Sequence, residues 1–142
     1  MDYEKLADEM HQKLCDFKRI QNKMQIGKTM EGEIFVLLAI ASQDDDLLPG
    51  KLREMIDISS ARIANVLSSL EKKKFIIREI DKNDRRKILV RLTPEGKTFA
   101  DEKHREIKSE VAGMLQKLGE HDAKEFVRIL GKLSEIKPEL RQ

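Results

Sequence analysis

A short polar segment, residues 81–87, separates two apolar-rich stretches with the composition of β-strands, 75–80 and 88–92. Its aspartate and asparagine side chains can hydrogen-bond to their own backbone, which favours a tight turn. The segment also holds neighbouring cations that no protein core could accommodate. These cations are Lys82, Arg85, Arg86 and Lys87. The pattern predicts a β-hairpin whose basic tip contacts a polyanion, although a solvated surface hairpin is the commoner interpretation of such a hairpin alone.

The residues before the hairpin have the pattern of a helix-turn-helix. Pro49 can open a short helix, because the first helical position needs no N–H. A break is predicted at Asp57–Ser59, and Ser59 is a good N-cap for a second helix that ends near Lys73. One side of this second helix is apolar, which predicts that it packs on a core. The apolar side chains are Ile63, Val66, Leu67 and Leu70.

The other side of the second helix differs from an ordinary surface helix, because it carries small polar groups and only one long charged side chain. It is formed mainly by Ser60, Arg62, Asn65, Ser68 and Ser69. Small side chains would let the helix backbone enter a major groove, while arginine can bond guanine and asparagine can bond adenine bidentately. A serine-rich face alone is more often structural. Next to a basic hairpin, DNA recognition becomes the favoured interpretation.

Residues 48–96 resemble the winged helix-turn-helix of the MarR family of bacterial transcription regulators. That family's wing has an Asp-x-x-Asp-x-Arg tip, an apolar strand and then Leu-Thr-x-x-Gly. The matching residues are Asp81, Asp84, Arg86, Leu92, Thr93 and Gly96. Residues 70–78 match the end of the family's recognition helix, except that Lys74 replaces a glycine. Since glycine suits a left-handed helix cap, the lysine either costs roughly 1 kcal/mol or ends the helix differently.

The resemblance implies a mainly α-helical fold with a small β-wing. It also implies a homodimer that binds a pseudo-palindromic operator in double-stranded DNA, most simply as a repressor released by a small-molecule effector. Base or adjacent phosphate contacts are then expected from Ser60, Arg62 and Asn65, and backbone contacts from Ser59 and Ser69.

In the wing, Arg86 is expected to contact DNA with help from Lys82, Arg85 and Lys87. Adjacent side chains of a strand point to opposite sides, so one of the two arginines should reach DNA while the other stays near Asp81 or Asp84. Arg86 is assigned to the minor groove because it matches the family's wing arginine. The aspartates are assigned as braces for an arginine, because an unpaired carboxylate would be repelled by phosphate.

The two ends of the chain predict helices that need a partner. An apolar seam in the first helix recurs every seven residues, at Tyr3, Met10, Phe17 and Met24. Two more helices are predicted from Pro94 to Leu118 and over 122–136, with Pro138 after the second. Such helices could fold back on their own domain, but packing between subunits is favoured. The expected organisation of this single domain is an N-terminal dimerisation helix in 1–26, a winged helix-turn-helix in 30–96 and C-terminal dimerisation helices in 97–142.

The charge distribution agrees with a DNA-binding module. Residues 59–92 contain ten Lys and Arg against four Asp and Glu, which gives +6, whereas the whole chain of 142 residues carries only +2. The remainder therefore sums to about −4, and a basic module in an acidic chain is typical of a DNA-binding protein. No apolar run of about 18 residues and no signal-peptide pattern occur, so a cytoplasmic protein without a membrane partner is expected.

Other chemistry is weakly indicated. The three histidines lack metal-ligand spacing, and no catalytic triad, P-loop or dinucleotide fingerprint is present, so neither enzyme activity, metal nor cofactor is expected. Cys15 is of interest because organic-hydroperoxide sensors of the MarR family carry a reactive cysteine in their first helix. Those sensors pair it with tyrosines, whereas this chain has only Tyr3, so an apolar filler is favoured. Two alternatives stay open, namely a redox-sensing regulator switched through Cys15 and a winged-helix protein-interaction module without an operator.

Overall fold

A computed structural model of the chain describes residues 1–24, 32–43, 46–56 and 58–137. This part of the chain contains six helices and two strands. In chain order they are α1 (Tyr3–Asn22), α2 (Glu33–Ala41), α3 (Pro49–Ile56), α4 (Ser60–Lys72), β1 (Ile76–Ile80), β2 (Ile88–Leu92), α5 (Pro94–Leu118) and α6 (Glu120–Glu135). The order is that of the predicted mainly helical fold with a β-wing. Two predicted features, the first residue of the break at Asp57 and the proline at Pro138, fall on residues outside the described ranges.

The chain forms two compact units, residues 1–107 and 108–142. In the first unit, one apolar core is shared by α2, α3, α4, the two strands and the start of α5. Its buried side chains are Val36, Leu37, Ile40, Leu47, Leu52, Ile63, Leu67, Leu70, Ile76, Val90 and Ala100. Burying a leucine or isoleucine of this kind contributes about 1.5–3 kcal/mol, so this core fixes α4 and the wing relative to each other.

The wing is a two-stranded antiparallel sheet. Its register pairs Ile76 with Leu92, Arg78 with Val90, and Ile80 with Ile88. Leu47 adds a short bridge to Val90, with N–O distances of 3.1 and 2.7 Å in the two directions. Because alternate residues of a strand share one face, Arg78 lies on the same face of β1 as the buried Ile76.

Helix α4 ends in a left-handed turn at Lys74, whose φ is +63°. The N–H of Phe75 donates to the carbonyl oxygen of Leu70, and the N–H of Lys74 donates to that of Glu71, both over 3.0 Å. This pair of bonds is the Schellman motif. The helix therefore keeps the end that a glycine would give it, and of the two sequence-based alternatives the strained lysine is correct.

Replacing Lys74 with glycine is expected to stabilise the chain by about 1 kcal/mol, because glycine adopts a positive φ without steric cost. The melting temperature should rise by roughly 3–5 °C, which circular dichroism would measure. Lys72→Gly is the matched control, since Lys72 is still helical and glycine there should lower stability by about 0.5–1 kcal/mol. An unchanged melting temperature for Lys74→Gly would contradict a strained cap.

Helices α1 and α6, each taken by itself, expose most of their apolar side chains, and neither has a buried residue. On α1 the exposed set includes Tyr3, Leu6, Met10, Leu14 and Ile20. On α6 and just after it, the set includes Phe126, Val127, Ile129, Leu130, Leu133 and Ile136. In the described ranges, no helix combines the length and apolar character that crossing a bilayer would require.

Candidate nucleic-acid interface

The N-terminus of α4 is held by two serines. Ser59 is the N-cap, and its hydroxyl accepts a hydrogen bond from the backbone N–H of Arg62 over 3.2 Å. Ser60 accepts from Nη1 of Arg53, a residue of α3, over 2.5 Å. Both hydroxyl groups act as acceptors in these bonds, so their hydrogens remain available to a phosphate oxygen. Arg53 was not identified from the sequence, because its contact depends on the angle between the two helices.

Four exposed side chains lie one above another on α4, because positions i, i+4, i+7 and i+11 share one side of a helix. We call this the outer face, and it consists of Ala61, Asn65, Ser68 and Lys72. Three of the four are short, so the backbone of α4 can approach a ligand closely. Asn65, for which the sequence predicts a base contact, lies in the middle of this face.

Ser69 lies on a different side of α4 from the outer face. Its hydroxyl donates to Oε1 of Glu33 in α2, and Nζ of Lys73 lies 2.5 Å from Oε2 of the same carboxylate. Lys73 and, to a lesser extent, Ser69 hold the pKa of Glu33 below its usual value. While this bond is made, the hydroxyl has no hydrogen left for a phosphate, so the structure does not favour the backbone contact that the sequence predicts for Ser69.

Arg62 is exposed but lies at the edge between the outer face and the side that contacts α2. It lines a cavity of 460 Å³ together with Gly32, Phe35, Val36, Ile56, Ile58 and Val66. The sequence pattern had placed Arg62 and Asn65 on one surface. In the structure they lie three positions apart along α4, and their side chains leave the helix in different directions.

The wing tip is ordered by its two aspartates. Asp81 accepts from the N–H of Asn83 over 2.9 Å, and Asp84 accepts from the N–H of Arg86 over 3.1 Å. The backbone closes the turn between Asp81 and Lys87, with an N–O distance of 2.9 Å. In both turns an aspartate side chain accepts from a backbone N–H two residues later, as the residue types predict.

Asp84 also pairs with the side chain of Arg86, whose Nε lies 3.2 Å from Oδ1. This hydrogen bond is the main reason that the pKa of Asp84 is lowered. Arg85 forms no hydrogen bond or salt bridge with any other residue that the structure describes. The pairing is thus the reverse of the predicted one, because the turn that binds the Arg86 N–H also brings its guanidinium to Asp84. The Arg86 side chain nevertheless remains 91% exposed.

Arg78 of β1 was also not selected from the sequence, yet it joins the wing to the end of α4. Its guanidinium makes a two-point contact with Glu71, with Nε 3.2 Å from Oε2 and Nη2 3.0 Å from Oε1. Nη2 also lies 3.5 Å from the hydroxyl of Ser68 on the outer face. Arg78 lowers the pKa of Glu71 chiefly through this hydrogen bonding.

A second pair stabilises the wing through Arg91 of β2. Arg91 contacts Asp46 with distances of 2.9 and 2.7 Å, and its Nη1 lies 3.4 Å from Glu79. The pairing lowers the pKa of Asp46 and raises that of Arg91. Since 45 positions separate Arg91 from Asp46, no local sequence pattern could have indicated this contact.

Several exposed cations around α4 and the wing form no salt bridge within the described ranges. They are Lys72, Lys74, Lys82, Arg85 and Lys87. Such side chains can replace the counterions of a phosphate backbone, whose release favours binding. Among the paired cations, Lys73, Arg78 and Arg91 lie where α4 and the wing meet each other or the rest of the unit, whereas Arg86 lies at the tip. The unpaired charge is therefore concentrated at the tip and the end of α4.

The base of the wing is tied to the end of α4 by Thr93. Its hydroxyl donates to the carbonyl oxygen of Lys74 over 2.6 Å and accepts from the N–H of Gly96 over 2.9 Å. The Thr93 N–H donates to the carbonyl oxygen of Phe75 over 3.0 Å, and the rings of Phe75 and Phe99 stack with centroids 4.6 Å apart. This corner fixes the direction of the wing relative to α4.

Cys15 is exposed on α1, and its Sγ lies 3.8 Å from Nε2 of His11. An exposed thiol does not fill a core, so the apolar-filler interpretation does not describe it in the single chain. In the described ranges, no group of three or more His, Cys, Asp or Glu side chains has an arrangement that could hold a metal ion.

Comparisons with known sequences identify related proteins. A family model described as a winged helix DNA-binding domain matches residues 33–111, which is more than half of the chain. The HTH-type transcriptional repressor YetL of Bacillus subtilis is 27% identical over 106 residues, which cover 74% of this chain and 64% of that protein. The matched segments span between 50% and 64% of the lengths of the curated relatives.

Two solved structures have the same architecture. FabT of Streptococcus pneumoniae, solved in complex with DNA, has a TM-score of 0.72 at 18% identity and covers 94% of this chain and 96% of its own. BpsR of Bordetella bronchiseptica has a TM-score of 0.71 at 20% identity, with coverages of 96% and 98%. That structure concerns the regulation of BpsR DNA binding by 6-hydroxynicotinic acid. At these identities the likeness establishes a common fold, and the predicted fold class is confirmed.

Proposed function

The chain belongs to the winged helix DNA-binding domain family, and we propose that it is a sequence-specific transcription regulator that binds double-stranded DNA as a homodimer. Its predicted resemblance to MarR-family regulators is confirmed at the level of the fold. One observation carries the proposal. A helix with an exposed face of small polar side chains is joined, through a rigid corner, to a hairpin with a basic tip.

Each part of this arrangement suits one element of a DNA duplex. The short side chains around Asn65 allow α4 to enter the major groove, where an asparagine can bond adenine bidentately. Ser59 and Ser60, at the N-terminus of α4, have hydrogens to donate to phosphate, and the partial positive charge of a helix N-terminus favours an anion there. The wing cations suit phosphates or a narrow minor groove. Membership of a DNA-binding family also agrees with the prediction that the chain is not an enzyme.

We infer repression, and not activation, from the relative YetL, which is named as a repressor. Control by a small molecule is supported by BpsR, whose fold is shared and whose DNA binding is regulated by 6-hydroxynicotinic acid. A redox switch through Cys15 is a second candidate, supported by its exposure and its contact with His11. Loss of DNA binding on peroxide treatment that disappears in Cys15→Ser would identify the redox switch.

The homodimer is supported by the exposed apolar side chains of α1 and of α6. Apolar positions every seven residues on α1 match a coiled-coil seam, which is stable only when another helix covers it. Exposed leucine, isoleucine and phenylalanine side chains in such numbers are typical of an interface. A two-fold dimer would present two copies of α4, which matches an operator with two symmetric halves.

Selection of bound sequences from a random duplex library should therefore enrich an inverted repeat. The centres of the two half-sites should lie about 34 Å or 10 base pairs apart, and the full site should bind more tightly than one half-site. Sedimentation of a monomer at micromolar concentration, or equal affinity for full site and half-site, would contradict the dimer. Absent or salt-insensitive DNA binding would instead support the protein-interaction module.

A further inference from the structure

Glu71 is the only acidic residue of α4, and it lies beside the outer face, three positions after Ser68. Its side chain is 40% exposed, so the protein covers it only in part. A negative charge at this place would repel the phosphates of any duplex that α4 approaches. Pairing the charge of Glu71 within the protein would therefore favour recognition by α4.

Arg78 supplies the opposite charge. Its guanidinium contacts both carboxylate oxygens of Glu71, at 3.2 and 3.0 Å, in the two-point geometry that gives the strongest arginine–carboxylate pairs. Arg78 belongs to β1 and not to α4, so its pair with Glu71 forms only when the wing lies against the helix. The corner formed by Thr93 and Phe75 holds the wing in that place.

We propose that Arg78 is a positioning residue for DNA binding, which acts by masking the charge of Glu71 at the end of the recognition helix. The inference rests on the proposed DNA-binding function. It does not require Arg78 to touch DNA, and it differs from two simpler roles. In one, Arg78 would contact a phosphate directly; in the other, the pair would only tie β1 to α4 mechanically.

A double-mutant cycle separates these roles. The probe is a fluorescein-labelled 30-base-pair duplex of mixed sequence, titrated by anisotropy at several NaCl concentrations, because electrostatic repulsion does not depend on sequence. Arg78→Ala should weaken binding about three- to tenfold at low salt, since an unpaired Glu71 then faces the phosphates. Glu71→Gln should bind at least as tightly as the unmodified protein. The double variant, which restores the original net charge, should recover most of the loss.

The control for a general loss of positive charge is Arg128→Ala. Arg128 contacts Glu125 on α6 with the same two-point geometry, at 3.1 and 2.8 Å, but lies outside the basic module. The Arg128→Ala substitution should change the affinity for the duplex little, because salt screens charges that lie far from the interface. Thermal unfolding and sedimentation of every variant check folding and assembly, and Arg78→Met, which keeps the apolar stem, replaces Arg78→Ala if alanine unfolds the chain.

Two results would overturn the proposal. If Glu71→Gln weakens binding as much as Arg78→Ala, the pair is a mechanical tie. If the double variant remains as weak as Arg78→Ala, Arg78 contacts DNA directly. Failure of the unmodified protein to bind any duplex would instead overturn the proposed function itself. This outcome differs from the two results above, in which the unmodified protein still binds DNA. The expected pattern is loss in Arg78→Ala, no loss in Glu71→Gln and recovery in the double variant.

Discussion

Replacing Gly96 with alanine is expected to destabilise the first unit by about 3–5 kcal/mol. An added Cβ would lie 1.9 Å from the carbonyl oxygen of Phe75, 2.8 Å from its carbonyl carbon and 3.0 Å from its Cα. These are backbone atoms, so no side-chain rotation can relieve the overlap. The first turn of α5 must therefore move away from the start of β1, and this overpacking costs about 1–3 kcal/mol. The movement also weakens the hydrogen bonds of Thr93, each of which contributes roughly 1 kcal/mol.

Urea unfolding followed by circular dichroism measures this effect directly. Because domains are stable by only about 5–15 kcal/mol, Gly96→Ala should leave a measurable unfolded fraction or lower the melting temperature by roughly 10 °C or more. Gly113→Ala is the matched control, since Gly113 also belongs to α5 but nothing lies within 4 Å of its added Cβ. Alanine there should be neutral or stabilising by about 0.5–1 kcal/mol. Similar effects of the two substitutions would disprove the close approach to Phe75.

The fold could be predicted because its determinants are local. Ser59 as a cap, Pro49 and Pro94 as first helical residues and the turn-forming aspartates of the wing each act within a few positions of the chain, where residue type limits the backbone. Gly96 is an intermediate case. The motif indicated that glycine belongs there, but only the structure gives the reason, which is the carbonyl oxygen of Phe75.

The site could be predicted less completely, because its side chains are oriented by residues far away in the chain. The Ser69 side chain, for example, is oriented by its hydrogen bond to Glu33, which lies 36 positions earlier. Helical periodicity could not distinguish the side of α4 that contacts α2 from the outer face, since both carry polar residues. Arg78 was visible in the motif, but its role depends on the contact that the wing makes with Glu71. Arg85 and Arg86 were distinguishable only once the turn was known.

Asn65→Ala and Arg85→Ala are expected to weaken DNA binding in different ways. Asn65 lies in the middle of the outer face, so its loss should remove discrimination at particular base pairs by about 1–3 kcal/mol. Its effect on random DNA should be small. Arg85, which is exposed at the wing tip, should contribute mainly to the electrostatic attraction. Its loss should weaken binding to all sequences alike, and the slope of log affinity against log salt concentration should become about one unit less steep.

The two variants should be compared by anisotropy on an enriched operator, on the same operator with one half-site base pair changed, and on random DNA. Ser134→Ala serves as control, because it removes a small polar group from α6, where the hydroxyl bonds only to the backbone oxygen of Gly131. If Asn65→Ala loses the same factor on operator and random DNA, the outer face is not the surface that reads bases. The expected difference between the two variants has a geometric cause. A short amide held above a rigid helix can recognise one base edge, whereas a long guanidinium at an exposed turn can follow any phosphate that the duplex presents.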